Sequence, residues 1–340
     1  MGPNRSRFKN MVLNQLLFLT IVLISLLHAQ QEPHFELFNI SSGLSTMEVT
    51  SLFQDSQGFL WIGAKGDVSR YNGYEFERIK IDTSASGQLG NFQSFGFYED
   101  DRGWIWINTD EGLFKYDPET NLSERFQFVE GTDADQDFVL GTFQISDSVL
   151  LVAAGFPKEE LYRLNKYTGF KTPVKFEGLK NIHPDDINII AKMIVTDPGK
   201  VWLFHYNYGL LLYTIRTGIF TQILPRDEHG KEFNFIRVAN IIHKPGESDY
   251  WIGDANGVYK YNLKTNKIRK YLSLEFTKVG NPSNLYNNFA LDAVNNIWMS
   301  ARNYGLYVIR DSDEKVIHFP PNPENLNYLT DKFKIGRAHV

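Results

Sequence analysis

Along most of this chain apolar and polar residues alternate with a period of two, in short runs cut by glycine or by Asn and Asp at intervals of roughly ten positions. That pattern predicts short strands joined by tight turns. Only residues 181–193 have a helical look. The runs also repeat. Residues 54–73 read QDSQGFLWIGAKGDVSRYNG, 99–119 read EDDRGWIWINTDEGLFKYDPE, and 197–215 read DPGKVWLFHYNYGLLLYTI. Residues 249–262 (DYWIGDANGVYKYN) and 292–309 (DAVNNIWMSARNYGLYVI) follow the same order. Aligned on Trp61, Trp106, Trp202, Trp251 and Trp298, with Leu151 in the tryptophan place of ISDSVLLVAA (145–154), the copies are spaced by 45, 45, 51, 49 and 47 residues.

Each copy has one grammar. An apolar run such as 49–55 predicts a first strand, and an Asp with a Gly three residues before the Trp predicts a tight turn. The run holding the Trp (59–64 in the first copy) is a second strand. Gly112, Gly209, Gly257 and Gly305 then supply the next turn, and a third strand ends at Tyr71, Tyr116, Tyr213, Tyr261 or Ile309. Asn72-Gly73 or Asp117-Pro118-Glu119 leads into a fourth strand such as 74–81. Four short antiparallel strands per unit of this length predict a propeller blade. The recurring indole has a packing reason: one large rigid side chain fills the wedge between neighbouring sheets, worth roughly 2–3 kcal/mol on burial. By the same reasoning Trp104, two residues from Trp106, is a second packing residue.

The predicted fold is therefore all-β: a β-propeller of four-stranded antiparallel blades, with six blades and the start of a seventh, over residues 34–334. The seventh opens at 322–334, where NPENLNYLTDKFK parallels NPSNLYNNFALD at 281–292. HFELFNI (34–40) reads as a strand that would complete that seventh blade, as first strands do in closed propellers. IGRAHV (335–340) reads as a non-native tail. Without a closing blade, the expectation is an open arc with two uncovered sheet faces.

Composition narrows the setting. The first ten residues carry Arg5, Arg7 and Lys9 and no acid; an uncharged, mainly apolar stretch (11–27) and Ala29 follow. Residues 1–29 thus read as a signal peptide, with an uncleaved anchor as the alternative. The rest would be exported to the periplasm. A net charge of −5 with no basic tract argues against nucleic-acid partners. Zero cysteines exclude disulfides, thiolate metal sites and a Cys nucleophile, while 42% hydrophobic residues can build a core.

The string DSQGFLWIGAKGDVSRYNG, with GLSTMEVTSLFQ before it (43–54), resembles the two-component regulator propeller repeat, and the likeness runs through 35–331. The copies around Leu151 and Trp202 depart from the repeat, as does Asp67 where Gly is usual. The resemblance implies the periplasmic sensor region of a bacterial hybrid two-component histidine kinase, sensing a carbohydrate oligomer or another extracellular signal. It also implies a homodimeric full-length receptor, reaching the membrane through the N-terminal segment or a later helix. The chain has no H-E-x-x-N/T-P box and no Gly-rich nucleotide motif, so the kinase is not in it.

Candidate ligand contacts lie in the turns between second and third strands. Tyr206, Tyr208, Arg302 and Tyr304 suit an oligosaccharide best, as rings for pyranose faces and a guanidinium for hydroxyls; Asn108 and Asp254 are further candidates. The competing reading is that Asn, Asp and Gly merely form turns. Asp133, Asp135 and Asp137 mimic the start of a calcium loop, but Phe138 replaces the required Gly and Gln144 the bidentate Glu, so a solvated acidic loop is expected. No catalytic motif, cofactor or metal site is predicted. The alternative function is a propeller enzyme acting on polysaccharide, either a lyase or a sialidase-like hydrolase. QDSQGFLW resembles a sialidase Asp-box, yet its Gly falls one residue late and the Ser or Thr before the Asp is missing.

Overall fold

The computed structural model describes residues 38–46, 48–81, 92–129, 137–155, 160–175, 190–197, 199–205, 208–235, 238, 240–244, 246–254, 256–273, 288–301 and 305–320. Within them lie six four-stranded sheets, each with its strands in sequence order and each pair antiparallel. These are blades 1 to 6, at residues 49–78, 94–126, 139–173, 190–222, 240–273 and 288–319. First strands of consecutive blades approach one another and so line the axis, while fourth strands form the rim. The first strand of blade 1 is Val49–Gln54 and the second Leu60–Ala64, as the alternation predicts; the fourth, Phe76–Arg78, is shorter than expected.

Two expectations change in part, and three fall outside the described residues. Of 34–40, only 38–40 are described, and Ile40 opens a 3-10 turn (Ile40–Ser42) instead of ending a strand. The Asn39 side chain accepts from the Ser41 and Ser42 amides, and Gly43 follows at φ 100°. Such local bonding lets short polar side chains outcompete a ladder. Of 181–193, which have a helical look, only 190–193 are described, and they open a strand, Ile190–Asp197. The signal segment (1–29), the seventh-blade opening (322–334) and the tail (335–340) lie outside the described residues.

The tryptophans pack as the repeat requires. Trp61 is fully buried against Phe97, Ile105, Ile107, Phe114 and Tyr116 of blade 2, with the Tyr116 ring edge-on at 5.6 Å. Trp106 meets Leu150, Val152 and Leu164 of blade 3, and Trp202 meets Tyr250, Ile252 and Tyr261 of blade 5. Trp251 meets Ile297, Met299 and Ile309 of blade 6. Each indole therefore faces the following blade. Trp104 packs on the Trp106 cluster, in line with its expected packing role. Where Leu151 replaces the indole, Tyr213 and Phe220 of blade 4, 4.6 Å apart, fill the gap. Trp298 is only half-buried, stacked on Phe319 of its own blade at 6.1 Å.

The turn between first and second strands does more than reverse the chain. Asp55 Oδ1 accepts the Gln57 and Phe59 amides, and its Oδ2 accepts the Trp61 indole N–H at 2.8 Å. Asp100 treats Trp106 the same way at 3.0 Å, and Asp292 treats Trp298 at 2.9 Å. One carboxylate thus folds the turn and orients the wedge residue six positions on. The Trp251 indole N–H is buried without a hydrogen-bond partner, because Pro245 occupies that sixth position.

Candidate functional site

The turns between second and third strands and the connections between blades share one end of the propeller. The end of a second strand sits beside the start of the next blade's first strand: a Cβ on Gly63 would lie 2.5 Å from Ser94 Oγ, and one on Gly253 would lie 2.6 Å from the Phe289 ring. Repeating that step around the axis gathers these turns on one face.

The six candidate residues separate on this face. Asn108 is buried and its side-chain oxygen accepts from Thr142 Oγ1 of blade 3 at 2.7 Å, so it joins two blades. Asp254 is fully buried. Its Oδ1 accepts the Asn256 and Gly257 amides at 2.7 and 3.1 Å, which closes its turn. Burial, reinforced by the Asp254 charge and a hydrogen bond to it, pushes the Tyr259 hydroxyl well above its ordinary range. Tyr208 is half-buried. Its ring lies 4.7 Å from that of His205, its amide donates to His205 Nδ1 at 3.3 Å, and Gln222 Nε2 donates to its carbonyl at 2.9 Å. Tyr206, Arg302 and Tyr304 lie outside the described residues.

Other groups on this face are not evident from their sequence setting. Gln93, in the connection entering blade 2, donates its amide to Asp110 Oδ1 at 2.5 Å and accepts the Asp110 amide on its carbonyl at 3.2 Å. Thr109, fully buried, donates to the Gly112 carbonyl and accepts the Glu111 amide. Arg125 Nε donates to the Glu111 carbonyl at 2.7 Å. Asp137, expected in solvent, is instead 2% exposed. Its carboxylate accepts the Phe128 amide at 2.9 Å and the Val129 amide at 3.2 Å, gripping the start of the connection that it ends. Burial raises its pKa, against the lowering pull of those amides and of Arg125 and Lys171. A calcium role needs this carboxylate free, and it is not. Among the described residues, Lys65 is exposed here while Gln93, Asp110, Tyr208 and Asn256 are half-buried.

The opposite face is bound by charge. Lys166 of blade 3 is fully buried and bonds Asp100 Oδ2 at 3.1 Å, Gln144 Oε1 at 3.4 Å, and the more exposed Asp101. Burial pushes the Lys166 ammonium down, but the bonds from Asp101 and Asp100 outweigh it and leave it above its ordinary value. Lys244 of blade 5 reaches Asp311 of blade 6 at 2.6 Å in the same manner.

Six repeated four-stranded blades packed side by side, with one turn-built face, define the class: a repeat β-propeller. Residues 43–66 match the two component regulator propeller family, so the chain carries that repeat. No curated protein matches the chain. Among solved structures, it is similar to the extracellular domain of the hybrid two component system BT3049 from B. thetaiotaomicron, with a TM-score of 0.65 and 19% identity over 88% of this chain and 38% of that one. The extracellular domain of the hybrid two component system BT4673 from the same organism gives 0.63 and 21% identity over 89% and 36%. This chain thus spans little more than a third of either domain. A streptogramin B lyase gives 0.58 and 11% identity over 84% of this chain and 88% of the lyase.

Proposed function

We propose that this chain is an extracytoplasmic, ligand-sensing propeller of a two-component signalling receptor, passing its signal to a histidine kinase outside the chain. The observation that carries this reading is the regulator propeller repeat at 43–66, whose grammar recurs through six blades. Export is supported by the basic and apolar N-terminal pattern and by the extracellular placement of the hybrid-system relatives. The ligand is a carbohydrate oligomer. Tyr206, Tyr208, Arg302 and Tyr304 would contact it, while Asn108 and Asp254 hold the frame beneath. In the full-length receptor the propeller works as a homodimer.

The test is titration of a panel of neutral and acidic oligosaccharides, read by calorimetry on this chain and by phosphorylation in the full-length receptor. One glycan class is expected to bind uncleaved, to alter phosphorylation, and to lose about tenfold in affinity with Tyr208→Ala. Chain cleavage of the glycan would overturn the sensory reading in favour of a lyase or hydrolase; the similar fold of a streptogramin B lyase is the observation on that side.

A further inference from the structure

The turns on the candidate face of blades 1, 2 and 3 are tied to one another through the connections between blades. Gly66, in the blade 1 turn, donates its amide to the Phe92 carbonyl at 2.6 Å, and Lys65 pairs with Gln93. Gln93 in turn is bonded twice to Asp110 of the blade 2 turn. The next residue of that turn, Glu111, pairs with Asp137, and the Phe138 carbonyl accepts the Gly155 amide of the blade 3 turn at 2.8 Å. The two links are copies: Gly66 and Phe92 stand 45 residues before Glu111 and Asp137, and Gln93 and Asp110 stand 45 before Phe138 and Gly155. The Phe95 and Phe138 rings, stacked at 5.8 Å, brace the second link from the first strand of blade 2.

We propose that these turns form one coupled belt, with Phe92–Gln93 and Asp137–Phe138 as its links, so that a shift imposed on one turn displaces the turns of the neighbouring blades. The fold supplies the reason. A connection squeezed between two turns has backbone groups that must be bonded on both sides, and freeing one side leaves the other poorly aimed. The belt deepens the sensory reading, on which its role in transmission rests; the coupling itself needs no ligand.

The experiment is amide hydrogen exchange on the whole chain and on Asp110→Ala and Asp110→Asn variants, with no ligand added. Asp110→Ala removes the acceptor of the Gln93 amide. Faster exchange is expected at Gly66 in blade 1 and Gly155 in blade 3 as well as at Gln93, with no change at Gly257, whose amide is held by Asp254 in blade 5. Asp110→Asn keeps an oxygen acceptor and should restore much of the protection. Acceleration confined to Gln93 and Asp110 would overturn the belt. In the unsubstituted chain the Gly66, Gln93, Asp110 and Gly155 amides should open with similar free energies. A spread of several orders of magnitude among their rates would also overturn it, even if both variants failed to fold. Failure of every oligosaccharide to bind would sink the sensory reading and leave this result untouched.

Discussion

At the scale of single residues, the Asp-to-Trp bond separates blades that otherwise look alike. Trp61 and Trp251 are both fully buried, yet only the Trp61 indole N–H has an acceptor. Replacing either ring by Phe removes similar apolar area, but Trp61→Phe also leaves Asp55 Oδ2 without its donor. Urea unfolding should therefore show Trp61→Phe costing about 1–3 kcal/mol more than Trp251→Phe. Equal losses would mean that the bond contributes nothing net. The tryptophan period was legible because nothing else in the sequence recurs so regularly. The bond was not, although the separation of six between Asp and Trp in three copies was there to read. For Asn108 and Asp254 the sequence could not decide: a polar residue beside a turn suits a ligand or the turn's own amides equally, and only burial separates the two.

Elements answer to pH through two carboxylates of opposite sign. Burial would raise Asp292, but the Trp298 indole, the Asn296 side chain and the Asn296 and Val294 amides outweigh it and hold its pKa below the ordinary value. Its contribution is therefore present above about pH 4, the unfolded carboxylate range, and is lost as pH falls through the lower folded value. Asp137 is raised by burial, so its contribution is complete below that range and is lost as pH rises through the folded value. Asp292→Asn should flatten the acid limb of a stability-against-pH curve, and Asp137→Asn the limb from about pH 4 upward. The same slope change in both variants would refute the assignment. Strand positions were legible from alternation alone. The 3-10 turn at Ile40–Ser42 was not, because an Asn-Ile-Ser-Ser run is compatible with a strand until the Asn39 side chain finds two amides.

Across the whole molecule, blades are joined by indoles within the sheets and by ion pairs at the turn ends. Lys166 was invisible in the sequence, since its partners lie 65 and 66 residues away. Asp100→Ala should cost about 3–5 kcal/mol by leaving a buried ammonium and an indole N–H under-bonded, and Lys166→Met a comparable amount by leaving the buried Asp100 carboxylate without its cation. A Lys166→Met loss below about 1 kcal/mol would show that the two amides and the Trp106 indole alone hold the Asp100 charge. Blade 6 differs from blades 1 and 2 on its Trp-bearing face. Blades 1 and 2 pair Arg70 with Glu77 and Lys115 with Glu124 there, and blade 6 pairs Val308 with Ile317.

That difference, with Trp298 half-buried while its four counterparts are sealed, gives the protein a reporter of its own. Emission from the sealed indoles is insulated from water and solutes. The share contributed by Trp298, isolated by subtracting the spectrum of Trp298→Phe, will move in colour and intensity with whatever comes to rest beside blade 6, and no dye need be attached to see it.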